Sequence, residues 1–380
     1  MTILLIGGTG VLSSAVTYEA LSQGMEVTMV NRGKRTIPEG VELIKADKDD
    51  LKTIEQFISG RQFDAVIDFL CYTDEATRKS VEFYKHYTKQ YFFISSCAVY
   101  NTAELNGAMA DEKAPKELPI WKYSIDKWAS EQLLISLLKD SDVNYTIIRP
   151  SVTYGDTRIP YGIMPPYRYH WTLIARILSG KPVITWNEGR NRCNMTRVED
   201  FAVGVVGLIG NPKAYNEAFN VCGDETPSFK EVLDCVSDII GHPVRTIDIT
   251  PDFYGAAFPS KRGEIIGGRA IDAVNSNQKL KAAVPAFKQT IGLKEGLKKT
   301  IEAYKSQNYQ LGIDWKFDAT TDRIIRLWCK NQGIDVSQYK LGYVDYLNEG
   351  NNSNKKTYNR ELNKDKFIYK LVAKIKRFFK

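Results

Sequence analysis

The stretch "LIGGTGVLSS", Leu5 to Ser14, decides how the rest of the chain is read. It grows out of the apolar run "ILLIG" at 3–7 and leads into a helical pattern at 11–23. A strand, a glycine turn and a helix in that order make a cradle for a pyrophosphate. The first glycine permits the tight turn, the second lets backbone N–H groups approach the anion, and the helix N-terminus supplies positive potential. Gly7, Thr9, Gly10, Val11 and Leu12 fall in that cradle. The third glycine of such turns serves close helix–strand packing, and Ser13, which stands there, adds only a hydroxymethyl group.

Outward from this turn the first 150 residues alternate between strand and helix. Apolar runs at 26–31, 41–46, 63–70, 90–96 and 144–150 are separated by helical patterns at 49–59, 74–89 and 121–139. Continuous apolar runs mark buried parallel strands. The expected fold is therefore α/β: a Rossmann-type, doubly wound parallel sheet. At the tip of the second strand, "VNRGKR" puts Asn31 where an acidic residue would accept ribose hydroxyls, with Arg32, Lys34 and Arg35 beside it. Guanidinium groups match a 2′-phosphate in shape and charge, so the tip favours NADP over NAD. A solvated basic loop would leave NAD open.

"KYSIDKWASEQLL" places Tyr123 and Lys127 one helical turn apart, the only Tyr-x-x-x-Lys in the chain. The fifth strand ends "FFISSCAVY", which brings Ser95 and Ser96 to the sheet edge where ligands bind. A phenol with an ordinary pKa near 10 needs a nearby ammonium to act as a base at neutral pH.

Together, "GGTGVLS", "ISSCAVY", "YSIDK", "IIRPSVTYG", "TRVEDFAVGVV" and "FNVCGDETPSFKEV" resemble the extended short-chain dehydrogenase/reductase family over about residues 1–305. That family comprises nucleotide-sugar epimerases, dehydratases and ketoreductases. The resemblance implies a catalytic hydroxyl at Ser96, an acid/base at Tyr123 and its helper at Lys127. It also implies adenine contact at Asp47, cofactor contact at Phe69, Leu70, Cys71, Tyr123, Lys127 and Pro150, with Lys127 on the nicotinamide ribose, and a weaker substrate-diphosphate contact at Arg192. A homodimer through helices 74–89 and 121–139 follows from the same resemblance, as does a nucleoside-diphosphate sugar as substrate. The family's dehydratases carry an acidic pair after the strand-five hydroxyl. Cys97 and Ala98 stand there instead, which disfavours dehydration, and no decarboxylase carboxylate is evident. Epimerisation and net reduction of a keto-sugar stay open, in glycan or polysaccharide precursor synthesis.

Six cysteines without a C-x-x-C pair and three histidines without ligand spacing suggest neither a disulfide framework nor a metal site. With no signal peptide or spanning segment legible, the expected location is cytoplasmic. The net charge is +7, yet residues 353–380 alone carry ten Lys or Arg against two acids, so the body is close to neutral. In "FIYKLVAKIKRFFK", residues 367, 368, 371, 372, 375, 378 and 379 form one apolar helical stripe opposite a basic face. This pattern fits an anionic membrane surface, at the inner leaflet, or a packed partner.

A nucleic-acid reading is open as well. "VNRGKR" and "GGRAIDAVNSNQKLKAAVPAF" at 267–287 are similar to the epimerase-like branch that includes chloroplast stem-loop RNA-binding proteins. A near-neutral body and the Ser/Tyr/Lys set argue against RNA; a non-catalytic NADP-sensing regulator could likewise dispense with that set. The division expected is a cofactor domain at 1–160 and 190–222, and a smaller α/β substrate domain at 161–189 and 223–306. A C-terminal extension at 307–352 and a basic linker with tail helix at 353–380 follow, with 345–366 read as loose.

Overall fold

Strand β1, Thr2–Ile6, alternates with period two between two hydrophobic layers. Ile3 and Leu5 face one core, Leu4 and Ile6 the other, and all four are buried. A strand covered on both faces belongs inside a layered α/β sheet. The computed structural model, which describes residues 1–105, 107–116 and 120–364, bears this out.

The remaining strands are β2 (Glu26–Asn31), β3 (Val41–Lys45), β4 (Ala65–Asp68), β5 (Gln90–Ile94), β6 (Asn144–Pro150), β7 (Val152–Tyr154), β8 (Val183–Thr185), β9 (Met195–Arg197), β10 (Glu217–Val221) and β11 (Thr246–Asp248). Six of them join β1 in one sheet of order β10-β6-β5-β4-β1-β2-β3, and every pairing is parallel. Helix α1 (Val11–Ser22) covers the first face through Val16 and Ala20. On the other face lie α2 (Leu51–Ile58), α3 (Asp74–Tyr84) and α4 (Lys122–Leu138), through residues such as Ile54, Val81 and Leu134. The order reverses between β1 and β4, the switch point where such sheets bind ligands.

The chain divides into two compact units. Among the described residues, the first holds those of 1–155, 192–227 and 271–296; the second holds those of 156–191, 228–270 and 297–364. This differs from the division expected from the sequence in two places. Residues 271–296 belong with the sheet, because Leu280, Ala283, Val284 and Phe287 join the core formed by Phe219, Val221 and Val205. Residues 307–364 are built into the second unit and do not form a separate appendage.

That second unit contains α5 (Trp171–Leu178), the β8–β11 pair, and a helix at Phe229–Ile240 that opens on a Ser228–Glu231 capping box. Its core runs through Ile184, Trp186, Ile247, Tyr254 and Ile324. The long helix Trp315–Gln332 sends Asp318 and Asp322 onto Arg176 and Lys181, all buried, with Lys181 Nζ donating at 2.9 and 3.0 Å. The stretch read as a loose linker contains another helix, Asn352–Leu362, whose buried Tyr358 donates its hydroxyl to Asp322. One aromatic anchor and one buried carboxylate acceptor outweigh a polar surface composition. The amphipathic stretch at 367–380 lies outside the described residues.

Candidate functional site

The glycine turn is held open by backbone geometry that side chains resist. Gly7 and Gly8 have φ of +114° and +82°, and a Cβ on Gly8 would sit 2.3 Å from the Met29 methyl carbon. Ser13 does more than fill the third glycine's place. Its Oγ accepts from Gly10 N–H at 2.8 Å, and Thr17 Oγ1 donates to Gly8 O at 3.1 Å, so α1 grips its own turn. Gly10 N–H is thereby spent inside the protein. The helix rule leaves the following first-turn N–H groups, of Val11 and Leu12, without intrahelical acceptors and suited to an anion.

At the β2 tip, Asn31 braces this turn. Its amide donates to Gly7 O at 2.6 Å and Thr9 Oγ1 at 3.0 Å, while its oxygen accepts from Gly33 N–H. Both amide hydrogens are used, so Asn31 braces the turn and keeps one lone pair of its oxygen for a further donor. Arg35 Nη1 donates to Thr9 O at 2.5 Å. Arg32 lies largely exposed, 4.0 Å from Asp47, which itself caps the Asp49 N–H. Phe69 and Leu70, at the end of β4, stand 3.4–3.6 Å from where a Gly7 Cβ would be, so the three form one wall. The adjoining Cys71 is buried, and its thiol bonds Asp68; burial and that carboxylate push its pKa far up, which makes it inert. The residues fit a dinucleotide: a glycine cradle that a Cβ would fill, unsatisfied helix N–H groups, and cations at the ribose end.

Lys127 lies on α4 and is 3% exposed. Its Nζ donates to Cys71 O at 2.6 Å and Ile94 O at 2.7 Å, which ties the helix to the ends of β4 and β5. Two of three ammonium hydrogens are used there. Burial holds its pKa down to about 8, while Cys71, Asp68 and Glu131 pull it back up. Tyr123, one turn earlier, is 37% exposed, and its ring lies 5.4 Å from that of Trp121. Ser96, half-buried, accepts the Ala98 N–H at 3.1 Å and so caps the turn Cys97–Val99. A hydroxyl that accepts in this way can still donate its proton.

Pro150 ends β6 and is buried. Arg192 is exposed, its backbone N–H on Asp272, in the same unit as the glycine turn. Sequence reasoning passed over the buried ion pair Glu131–Arg149, although Glu131 is eight residues past Tyr123 and so shares its helix face. Among the described residues no cluster of His, Cys, Asp and Glu could hold a metal ion, and no helix is long and apolar enough to cross a membrane.

A model of the NAD dependent epimerase/dehydratase family matches residues 3–222, and the chain belongs to that family. It is 25% identical over 257 residues to the chloroplast stem-loop binding protein of 41 kDa b of Arabidopsis thaliana, a match covering 63% of this chain and 64% of that protein. To UDP-glucose 4-epimerase of Vibrio cholerae it is 25% identical over 231 residues, covering 58% and 64%. The match thus spans just under two thirds of each relative. The fold is shared with UDP-glucuronic acid 4-epimerase of Bacillus cereus, solved in complex with NAD. The TM-score is 0.64 at 18% identity, covering 81% of this chain and 100% of that one.

Proposed function

We propose that the chain is an NAD(P)-dependent nucleotide-sugar epimerase or ketoreductase in which Tyr123 moves the proton. The observation that carries this is the buried Lys127 ammonium, held by two strand-end carbonyls one helical turn from the phenol. Tyr123 takes a proton from, or returns it to, the sugar hydroxyl as that carbon changes between alcohol and ketone. Lys127 stabilises the phenolate, and Ser96 donates a hydrogen bond to the sugar oxygen. Gly7, Thr9, Val11 and Leu12 would hold the dinucleotide's pyrophosphate, Asp47 its adenine, and Phe69, Leu70 and Pro150 its remaining faces. When bound, the dinucleotide supplies the hydride exchange at the sugar carbon. Arg32 and Arg35, with no acid at the β2 tip itself, support NADP, and fluorescence titration with NADPH against NADH tests that choice. Incubation with a panel of nucleotide sugars, with and without NADPH, tests the reaction. Inversion without added reductant means epimerisation, stoichiometric NADPH consumption means reduction, and no conversion at all refutes both.

The substrate is read as a nucleoside-diphosphate sugar, with Arg192 the weakest of the assigned contacts. The homodimer reading rests on α3 and α4, on which Ile125 is exposed; light scattering of the purified chain checks it. The tail at 367–380 is read as contacting an anionic bilayer. Its test is deletion of 365–380, because cutting at 353 would also remove the packed Tyr358. Loss of co-sedimentation with anionic liposomes at unchanged turnover is the expected result. The similarity to a stem-loop binding protein supports a second reading, RNA binding. A steeply salt-dependent affinity for stem-loop RNA, without sugar turnover, would favour it.

A further inference from the structure

The Tyr123–Lys127 face of α4 continues into a buried polar network that the reaction itself does not use. Glu131 is fully buried, and Arg149 nearly so. Arg149 Nε donates to Glu131 Oε1 at 2.9 Å and Nη2 to Oε2 at 2.5 Å, a two-pronged pair. The same Oε1 accepts the hydroxyl of Ser95, the residue beside Ser96. Arg149, which precedes Pro150 on β6, continues through Nη1 to the Tyr100 hydroxyl at 2.8 Å, and that hydroxyl donates to Asn220 Oδ1 on β10 at 2.7 Å.

We propose that Glu131 is the positioning residue of this site, a single buried carboxylate that ties α4 to the ends of β5 and β6 and keeps Tyr123, Lys127 and Ser96 in register. The inference rests on the acid/base reading of Tyr123. Tyr123, Lys127 and Glu131 recur every four residues, so they share one helix face. Its carboxylate reaches Ser95, the neighbour of Ser96, and Arg149, the neighbour of Pro150, at once. An ion pair kept for packing alone gains little over apolar side chains of the same volume. A pair that also fixes three reacting segments, and sets the field at a lysine, has a reason to be ionic. The titratable groups around Lys127 are Asp68 and Cys71 at the end of β4, Tyr72 just beyond, and Tyr123 and Glu131 on α4; Glu131 favours its charged form.

The test separates field from packing. In the full chain labelled with [ε-13C]lysine, the Lys127 resonance is assigned by its loss in Lys127→Arg and titrated in wild type, Glu131→Gln and Glu131→Gln/Arg149→Met. Glu131→Gln leaves Arg149 buried without its counter-charge, which destabilises the fold, so the double variant, which removes both charges, is the decisive protein. The expected result is a Lys127 midpoint lower than wild type in the double variant by about half a unit, roughly threefold in proton affinity. The alkaline limb of kcat, on whichever sugar is turned over, moves down with it. A double variant that melts as wild type does and keeps the wild-type midpoint and limb overturns the proposal, since Glu131 would then only neutralise Arg149. Absence of turnover in wild type with a midpoint that still falls in the double variant overturns the catalytic reading and supports the electrostatic tie.

Discussion

Lys127 shows how a residue can be correctly found and incompletely understood from sequence. Its spacing from Tyr123 was legible, because a four-residue interval on a helix is a local property. Its two carbonyl acceptors, Cys71 O and Ile94 O, come from separate strands, and no local pattern announces them. Those contacts come with burial that lowers its pKa to about 8. Since the charged form supports the phenolate, turnover should be full at neutral pH and fall as pH rises through about 8, read as the alkaline limb of kcat. Replacing Lys127 with Met should cost about 10²–10⁴ in kcat, the scale of general acid–base catalysis, with little change in fold by circular dichroism. Burial and the Asp68 carboxylate raise the Cys71 thiol pKa, which predicts that a neutral alkylating reagent leaves it unmodified in the native chain, checked by mass spectrometry.

At the scale of the element, the glycine turn was the most legible part of the chain, and the missing third glycine its one irregularity. Ser13 answers it with a hydroxyl that bonds back to Gly10 N–H, a capping contact on α1. Ser13→Ala should therefore lower stability by about 1 kcal/mol, measured by urea denaturation. Gly8→Ala should do far more, because it combines a φ of +82° with a collision against Met29; loss of NAD(P)H binding by fluorescence is the expected outcome. The helix at Gln278–Ala283 was less legible. Leu280, Ala283, Val284 and Phe287 do show an i, i+3, i+4, i+7 stripe, but a stripe names a buried face without naming the core that buries it.

Across the whole molecule, the chain order of elements set the first unit, while long-range charge pairing set the second. The sequence between 345 and 364 is polar, and polarity reads as surface. In the structure Asp318 and Asp322 are buried counter-charges for Arg176 and Lys181, a partnership across more than 130 residues that only the fold reveals. A chain ending at residue 314 should strip Arg176 and Lys181 of both counter-charges and the second core of Ile324 and Ile325, and should lose its cooperative melting transition. A chain ending at 364 should melt as the full chain does.

The most direct test is to follow a nucleotide-sugar panel by proton NMR with the wild-type chain and Tyr123→Phe side by side. The account predicts conversion of at least one sugar by wild type and a loss of about 10² or more in rate for the variant, with NAD(P)H affinity retained. Equal rates in the two proteins, or a wild type that converts no sugar while binding the dinucleotide, would contradict it.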